Sequence, residues 1–87
     1  MKYHIEVAEK LKKQLVRLPK KVKARIIAKI DSLAENPRPG GCKKLKGSQR
    51  SPFYRVRVGE YRIIDSIEDD VLLILVIDIG HRKEVYQ

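Results

Sequence analysis

Apolar and polar positions change period twice along this chain. Tyr3-His4-Ile5-Glu6-Val7 alternates with a period of two and predicts an opening strand. From Ala8 the spacing turns helical. Ala8, Leu11, Leu15 and Leu18 lie +3, +4 and +3 apart on one stripe, with Lys10, Lys12, Lys13 and Arg17 mostly off it. Pro19 ends that helix and suits the start of another, because its fixed φ is already helical and its missing N–H loses no bond there. Val22, Ile26, Ile30 and Leu33, helped by Ile27 and Ala34, make the second stripe. It stops at Asn36-Pro37-Arg38-Pro39-Gly40-Gly41, since each proline pushes its predecessor out of the α region. Two amphipathic helices joined this tightly predict a helical hairpin.

After Pro52 the period is two again. Tyr54, Val56 and Val58 share one face; Phe53, Arg55 and Arg57 share the other. Gly59-Glu60 reads as a two-residue hairpin loop, glycine supplying the positive φ of a type II′ turn. Tyr61 to Ile67 returns, and Glu68-Asp69-Asp70 turns the chain once more. Val71 to Ile77 is apolar throughout and predicts a central strand covered on both sides, broken by Gly80. A last short strand is expected within residues 81–87. The order β-α-α-β-β-β(-β) gives an α+β fold, with the helical hairpin on one face of a mainly antiparallel, twisted sheet. Residues 1–87 are expected to form one domain.

Composition narrows the partners. The 87 residues (10.1 kDa) are 43% hydrophobic and 36% charged, a mixture that folds. Twenty basic against eleven acidic side chains leave +9, which points to a polyanion, nucleic acid before membrane. Residues 1–50 hold 15 basic and 4 acidic side chains, while the remainder holds 5 and 7. A single cysteine, Cys42, permits no internal disulfide and fits a reducing cytoplasm. The longest apolar run cannot span a bilayer, and the first twenty residues contain no signal-peptide core. No cofactor is implied, and neither His4, His81 nor Cys42 has metal-ligand spacing.

Candidate chemistry lies where cations crowd. With Gly59-Glu60 as the loop, Arg57 faces Arg62 and Arg55 faces Ile64, which brings three guanidiniums onto one sheet face. Opposed like charges repel, and a phosphate between them matches the guanidinium fork. The competing reading is surface pairing with Glu60, Asp65 or Glu68. After the apolar strand comes Gly80-His81-Arg82-Lys83-Glu84-Val85-Tyr86. It offers an imidazole, two cations and a phenol. Those are the types an RNA-cleaving site needs to move a 2′-OH proton, protonate a leaving 5′-oxygen and hold positive charge on the phosphorane. The competing reading is a solvated histidine and a packing tyrosine. Scattered Asp65, Asp69, Asp70 and Asp78 suit a two-metal nuclease poorly.

The run Tyr54-Arg55-Val56-Arg57-Val58-Gly59-Glu60-Tyr61-Arg62, the ending from Gly80 to Tyr86, and Lys44-Leu45-Lys46-Gly47 resemble the RelE branch of the RelE/ParE toxin superfamily. So does the strand–helix–helix opening, and the likeness covers essentially the whole chain. The resemblance implies a RelE-like, microbial-RNase-like fold and the toxin of a type II toxin–antitoxin pair. Such a toxin cuts messenger RNA in the ribosomal A site without metal, inhibits translation, and is blocked by a RelB-like antitoxin.

By position the resemblance implies phosphate contacts from Arg55 and Arg57, with Lys44 and Lys46 upstream, and catalytic roles for Arg62, Arg82 and Tyr86; the residues themselves add His81 as a further candidate for acid–base duty. Either His81 or Tyr86 accepts the 2′-OH proton, and Arg62 with Arg82 neutralises the scissile phosphate. Well-studied members have lysines at the positions of Arg55 and Arg57; arginine stays charged, so here both are clamps rather than proton shuttles. Asp65 replaces an aromatic and is expected to dampen the positive site. Lys10, Lys12, Lys13, Lys20, Lys21 and Lys23 are expected to hold ribosomal RNA through salt-sensitive contacts. Two rival readings are a ParE-like gyrase poison and a catalytically decayed binding module.

Overall fold

The computed structural model describes residues 2–45 and 52–81. Its elements are β1 (His4–Val7), α1 (Glu9–Arg17), α2 (Lys20–Leu33), β2 (Lys43–Leu45), β3 (Phe53–Val58), β4 (Tyr61–Glu68) and β5 (Leu73–His81), with a 3-10 turn over Asp69–Val71. The strands form one five-stranded sheet in the order β1-β5-β4-β3-β2. β1 runs parallel to β5 and every other pair is antiparallel. The α+β architecture and the helical hairpin are as the periodicity requires.

Helix stripes and inward strand positions meet in two contiguous apolar groups. One joins Leu11 of α1 and Ile26 and Ile30 of α2 to Ile63, Val76 and Ile79. The other joins Leu33 to Tyr54, Val56, Ile67 and Ile74. Tyr54, Val56 and Val58 thus face the helices, leaving Arg55 and Arg57 to the outer face. Pro19 caps α2, its carbonyl accepting from the Lys23 amide at 2.9 Å. Cys42 is half-buried beside the Leu33 group.

Four expectations change. The segment 43–45 is a strand, β2, which pairs only with Phe53–Arg55. Ile27 is exposed at 39%, because Ile26 and Ile30 already fill the α2 contact and their neighbour must point away. The apolar run is offset: Val71 is in the turn and 62% exposed, Leu72 takes a left-handed φ of 52°, and β5 continues through Gly80 to His81. Nor is β5 covered on both sides. Ile74, Val76 and Ile79 are buried, while Leu73, Leu75 and Ile77 are half-buried, because the helices cover one face alone. A strand within residues 82–87 lies outside the described residues.

A register shift in β5 sets the facing of its last residues. Asp65 pairs with Val76 but Ile64 pairs with Asp78, so Ile77 is skipped. Such a bulge reverses the alternation of side chains beyond it. Ile74 and Val76 point to the helices before the bulge; Ile79 and His81 do so after it, and Asp78 is turned to the outer face.

Candidate functional site

The hairpin forms in the register the loop demands. Val58 is opposite Tyr61, Arg57 opposite Arg62 and Arg55 opposite Ile64. Gly59 has φ +57°, and Glu60 is not in the left-handed region, the pattern of a type II′ turn. Arg55, Arg57 and Arg62 therefore share the outer face, away from both helices. β2 adds a fourth cation, since Lys43 is opposite Arg55. Lys44, opposite Tyr54, belongs to the other face. Only the register of an unforeseen strand distinguishes these two lysines.

The Arg62 side chain is only 16% exposed, and its Nη2 donates to Asp78 Oδ2 at 3.2 Å. The bulge at Ile77 makes that pair possible. Spacing along the chain nominates Glu60, Asp65 and Glu68 to neutralise the cluster; the observed partner is Asp78. The pairing leaves one donor unmet: among the described residues, Nε of Arg62 is buried without a hydrogen-bond partner. Arg55 and Arg57 make no ion pair with another described residue. On the outer face the cations of β2, β3 and β4 thus lie side by side, with Asp78 against Arg62 and Glu68 farther along β4, an arrangement suited to an extended polyanion.

Asp65 does not enter this row. It pairs with Tyr54 and Val76 on the helix-facing side, fully buried, with neither carboxylate oxygen hydrogen-bonded. Burial pushes its carboxyl up to about 7, opposed in part by Arg38. The expected dampening of the outer site is corrected: the intervening sheet separates this carboxyl from the arginines.

His81 is also placed apart from Arg62. Opposite Tyr61, it meets that ring edge-on at 5.1 Å between centroids. The two rings border cavities of about 250 and 210 Å³ shared with Val22 and Arg25 of α2 and with Gln14 and Arg17 of α1. Arg62, the next residue along β4, points to the opposite face. Lys46, Arg82 and Tyr86 lie outside the described residues. Lys10, Lys12, Lys13, Lys20 and Lys21 are exposed on the helical layer and Lys23 is half-buried there, with Lys12 paired to Glu9 at 3.2 Å. Among the described residues no group of three or more His, Cys, Asp or Glu side chains is arranged to hold a metal ion, and no helix is long and apolar enough to cross a membrane.

One cluster was not foreseen. Arg38, just beyond α2, donates Nη1 and Nη2 to the two oxygens of Asp69 at 3.1 and 2.8 Å and Nε to the Tyr54 hydroxyl at 3.1 Å. The Tyr3 hydroxyl donates to the same carboxylate at 2.6 Å. The Arg38 hydrogen bonds hold the Asp69 carboxyl below its ordinary range, and Asp69 in turn raises the Tyr3 phenol. This clamp ties β1, the loop after α2, β3 and the β4–β5 turn together. No local spacing joins positions 3, 38, 54 and 69.

Comparison with known proteins fits this geometry. Residues 2–86 match the family described as the ParE toxin of type II toxin–antitoxin systems, parDE. A Methanocaldococcus jannaschii protein carrying the name RelE1 is 31% identical over 90 residues, spanning 100% of this chain and 98% of its own. The toxin in the archaeal RelE–RelB complex from Pyrococcus horikoshii superposes with a TM-score of 0.86 at 29% identity, over 94% of this chain and 97% of that one. The isolated Escherichia coli RelE toxin gives 0.74 at 26%, over 97% and 90%. The chain belongs to the RelE/ParE toxin family of type II toxin–antitoxin systems. Within it, these relatives place the chain in the RelE branch.

Proposed function

We propose that this protein is the toxin of a type II pair and a ribosome-dependent endoribonuclease that cleaves messenger RNA in the A site without metal, in the cytoplasm. The observation that carries the reading is Arg62. It sits in a row of outer-face cations, opposite Arg57 and beside Arg55, and among the described residues it has a single carboxylate contact and a buried, unpartnered Nε. A guanidinium held but incompletely paired is suited to the charge that develops on a phosphorane. In this scheme the 2′-oxygen attacks phosphorus as it loses its proton, and the bond to the 5′-oxygen breaks with Arg82 assisting protonation of the departing oxygen. Arg62 and Arg82 stabilise the phosphorane, and Arg55, Arg57 and Lys43 grip adjacent backbone. Tyr86, from the family resemblance, takes the 2′-OH proton. His81, packed on Tyr61 across the sheet, is assigned to shaping the strand end rather than to proton transfer. The exposed helix lysines hold ribosomal RNA, and a RelB-like antitoxin, the partner named in the relatives' complexes, silences the toxin.

Primer extension on a translated message after brief induction tests the reading. Cuts phased to codons are expected. A second reading, a gyrase poison, is favoured by the ParE description of the matching family; it gives DNA-damage signalling and no phased cuts.

A further inference from the structure

Two basic surfaces lie on opposite sides of the sheet: the arginine row outside and the lysines of the helical layer. Between them is a rim. β2 pairs with β3 only over Phe53–Arg55, so among the described residues Val56–Val58 present an open strand edge. Beside that edge α2 forms the wall of a cavity of about 440 Å³, lined by Arg25, Lys29, Ser32, Arg57, Val58 and Gly59. Among the described residues no carboxylate lines it, and neither Arg25, Lys29 nor Arg57 makes an ion pair with a described residue. The Arg25 guanidinium lies over the turn: a Cβ on Gly59 would stand 3.2 Å from its Nη1. Arg57 belongs to both places, opposite Arg62 on the outer face and at the lip of this trough.

We propose that the trough is a second phosphodiester-binding surface, in which Arg25 and Lys29, joined through Arg57 to the outer arginines, hold RNA backbone passing around the β3 edge. The proposal rests on the RNA-cleaving reading and adds to it an anchoring surface away from the reacting phosphate. Charge and shape favour RNA over an acidic peptide. Three cations with no acid suit a phosphate chain, whereas a strand-adding peptide needs side-chain pockets, and Val58 and Gly59 offer little of that kind.

The test compares the full-length wild type with Arg25→Gln/Lys29→Gln and the charge-keeping Arg25→Lys/Lys29→Arg. Anisotropy with a 2′-O-methyl oligoribonucleotide at several salt concentrations forms one arm; co-sedimentation with message-free ribosomes forms the other. The Gln pair is expected to bind at least tenfold more weakly, with the salt slope reduced by about 1.4, and the charge-keeping pair to bind as wild type. Lys29→Gln alone, a single surface change, should reduce the slope by about 0.7 and guards against misfolding of the pair. Weakening in the oligoribonucleotide arm assigns the trough to message backbone; weakening on ribosomes alone assigns it to ribosomal RNA. Unchanged affinity in both arms overturns the proposal, as does weakened antitoxin binding with RNA binding intact, which gives the trough to an acidic protein. A wild type that binds neither probe overturns the RNA reading itself.

Discussion

Two arginine–carboxylate pairs in this protein do different things. Arg38 commits Nε, Nη1 and Nη2, two of them to both oxygens of Asp69 and the third to Tyr54. Arg62 meets Asp78 through one nitrogen at 3.2 Å and leaves a buried Nε without a partner. The first pair is bidentate, and each of those nitrogens has its acceptor, so it binds four segments together and offers an incoming anion little. The second holds its guanidinium in place while leaving part of its hydrogen-bonding capacity unmet. Saturation separates the structural arginine from the one suited to catalysis, although both are paired and lie in the same sheet-and-loop framework.

The largest expected effect lies beneath the clamp, at Asp65. Its folded carboxyl titrates near 7 rather than in the ordinary carboxylate range. The native state therefore keeps a proton that the unfolded chain gives up. Stability from this group is complete below about pH 4 and falls as pH rises to about 7, by on the order of 4 kcal/mol. Chemical denaturation across that window measures it, and Asp65→Asn should flatten the curve. Asp69 works in the opposite sense: its carboxyl is held low, so its contribution is lost as pH falls below the carboxylate range.

The two arginines themselves should respond in opposite ways. Arg62→Ala should lower ribosome-dependent cleavage by about 100- to 1,000-fold with the melting curve nearly unchanged. Arg38→Met should do the reverse, reducing stability by about 1–2 kcal/mol, a figure discounted for the partial exposure of the pair, with cleavage by the folded fraction retained. Primer-extension yields and urea melts on both variants decide it. If Arg38→Met abolishes cutting while melting normally, saturation is not what distinguishes the two pairs.

The smallest effect concerns repulsion in the outer row. Arg57→Gln removes one of two opposed like charges and should stabilise the free protein by a few tenths of a kcal/mol while weakening RNA and antitoxin binding. A lower melting temperature with unchanged affinities would mean that Arg57 is paired within the fold. Thermal melts and titrations at two salt concentrations read both quantities.

Local order was decided by the sequence alone. The helical stripes, the proline stop after α2 and the Arg57–Arg62 register all follow from spacing and turn chemistry, which act over a few residues. Of the candidate site, the shared placement of Arg55, Arg57 and Arg62 on one sheet face was legible, because the hairpin register fixes it. Tertiary structure decided what depends on partners far along the chain. The parallel pairing of β1 with β5, the short strand that brings Lys43 beside Arg55, and the clamp at Arg38 each join residues with no common period. The bulge at Ile77 matters most, because β5 is apolar from Leu73 to Ile77 and has no alternation from which to read its facing. One skipped residue turned Asp78 toward Arg62 and His81 toward the helices, and only the completed sheet specifies where that residue falls.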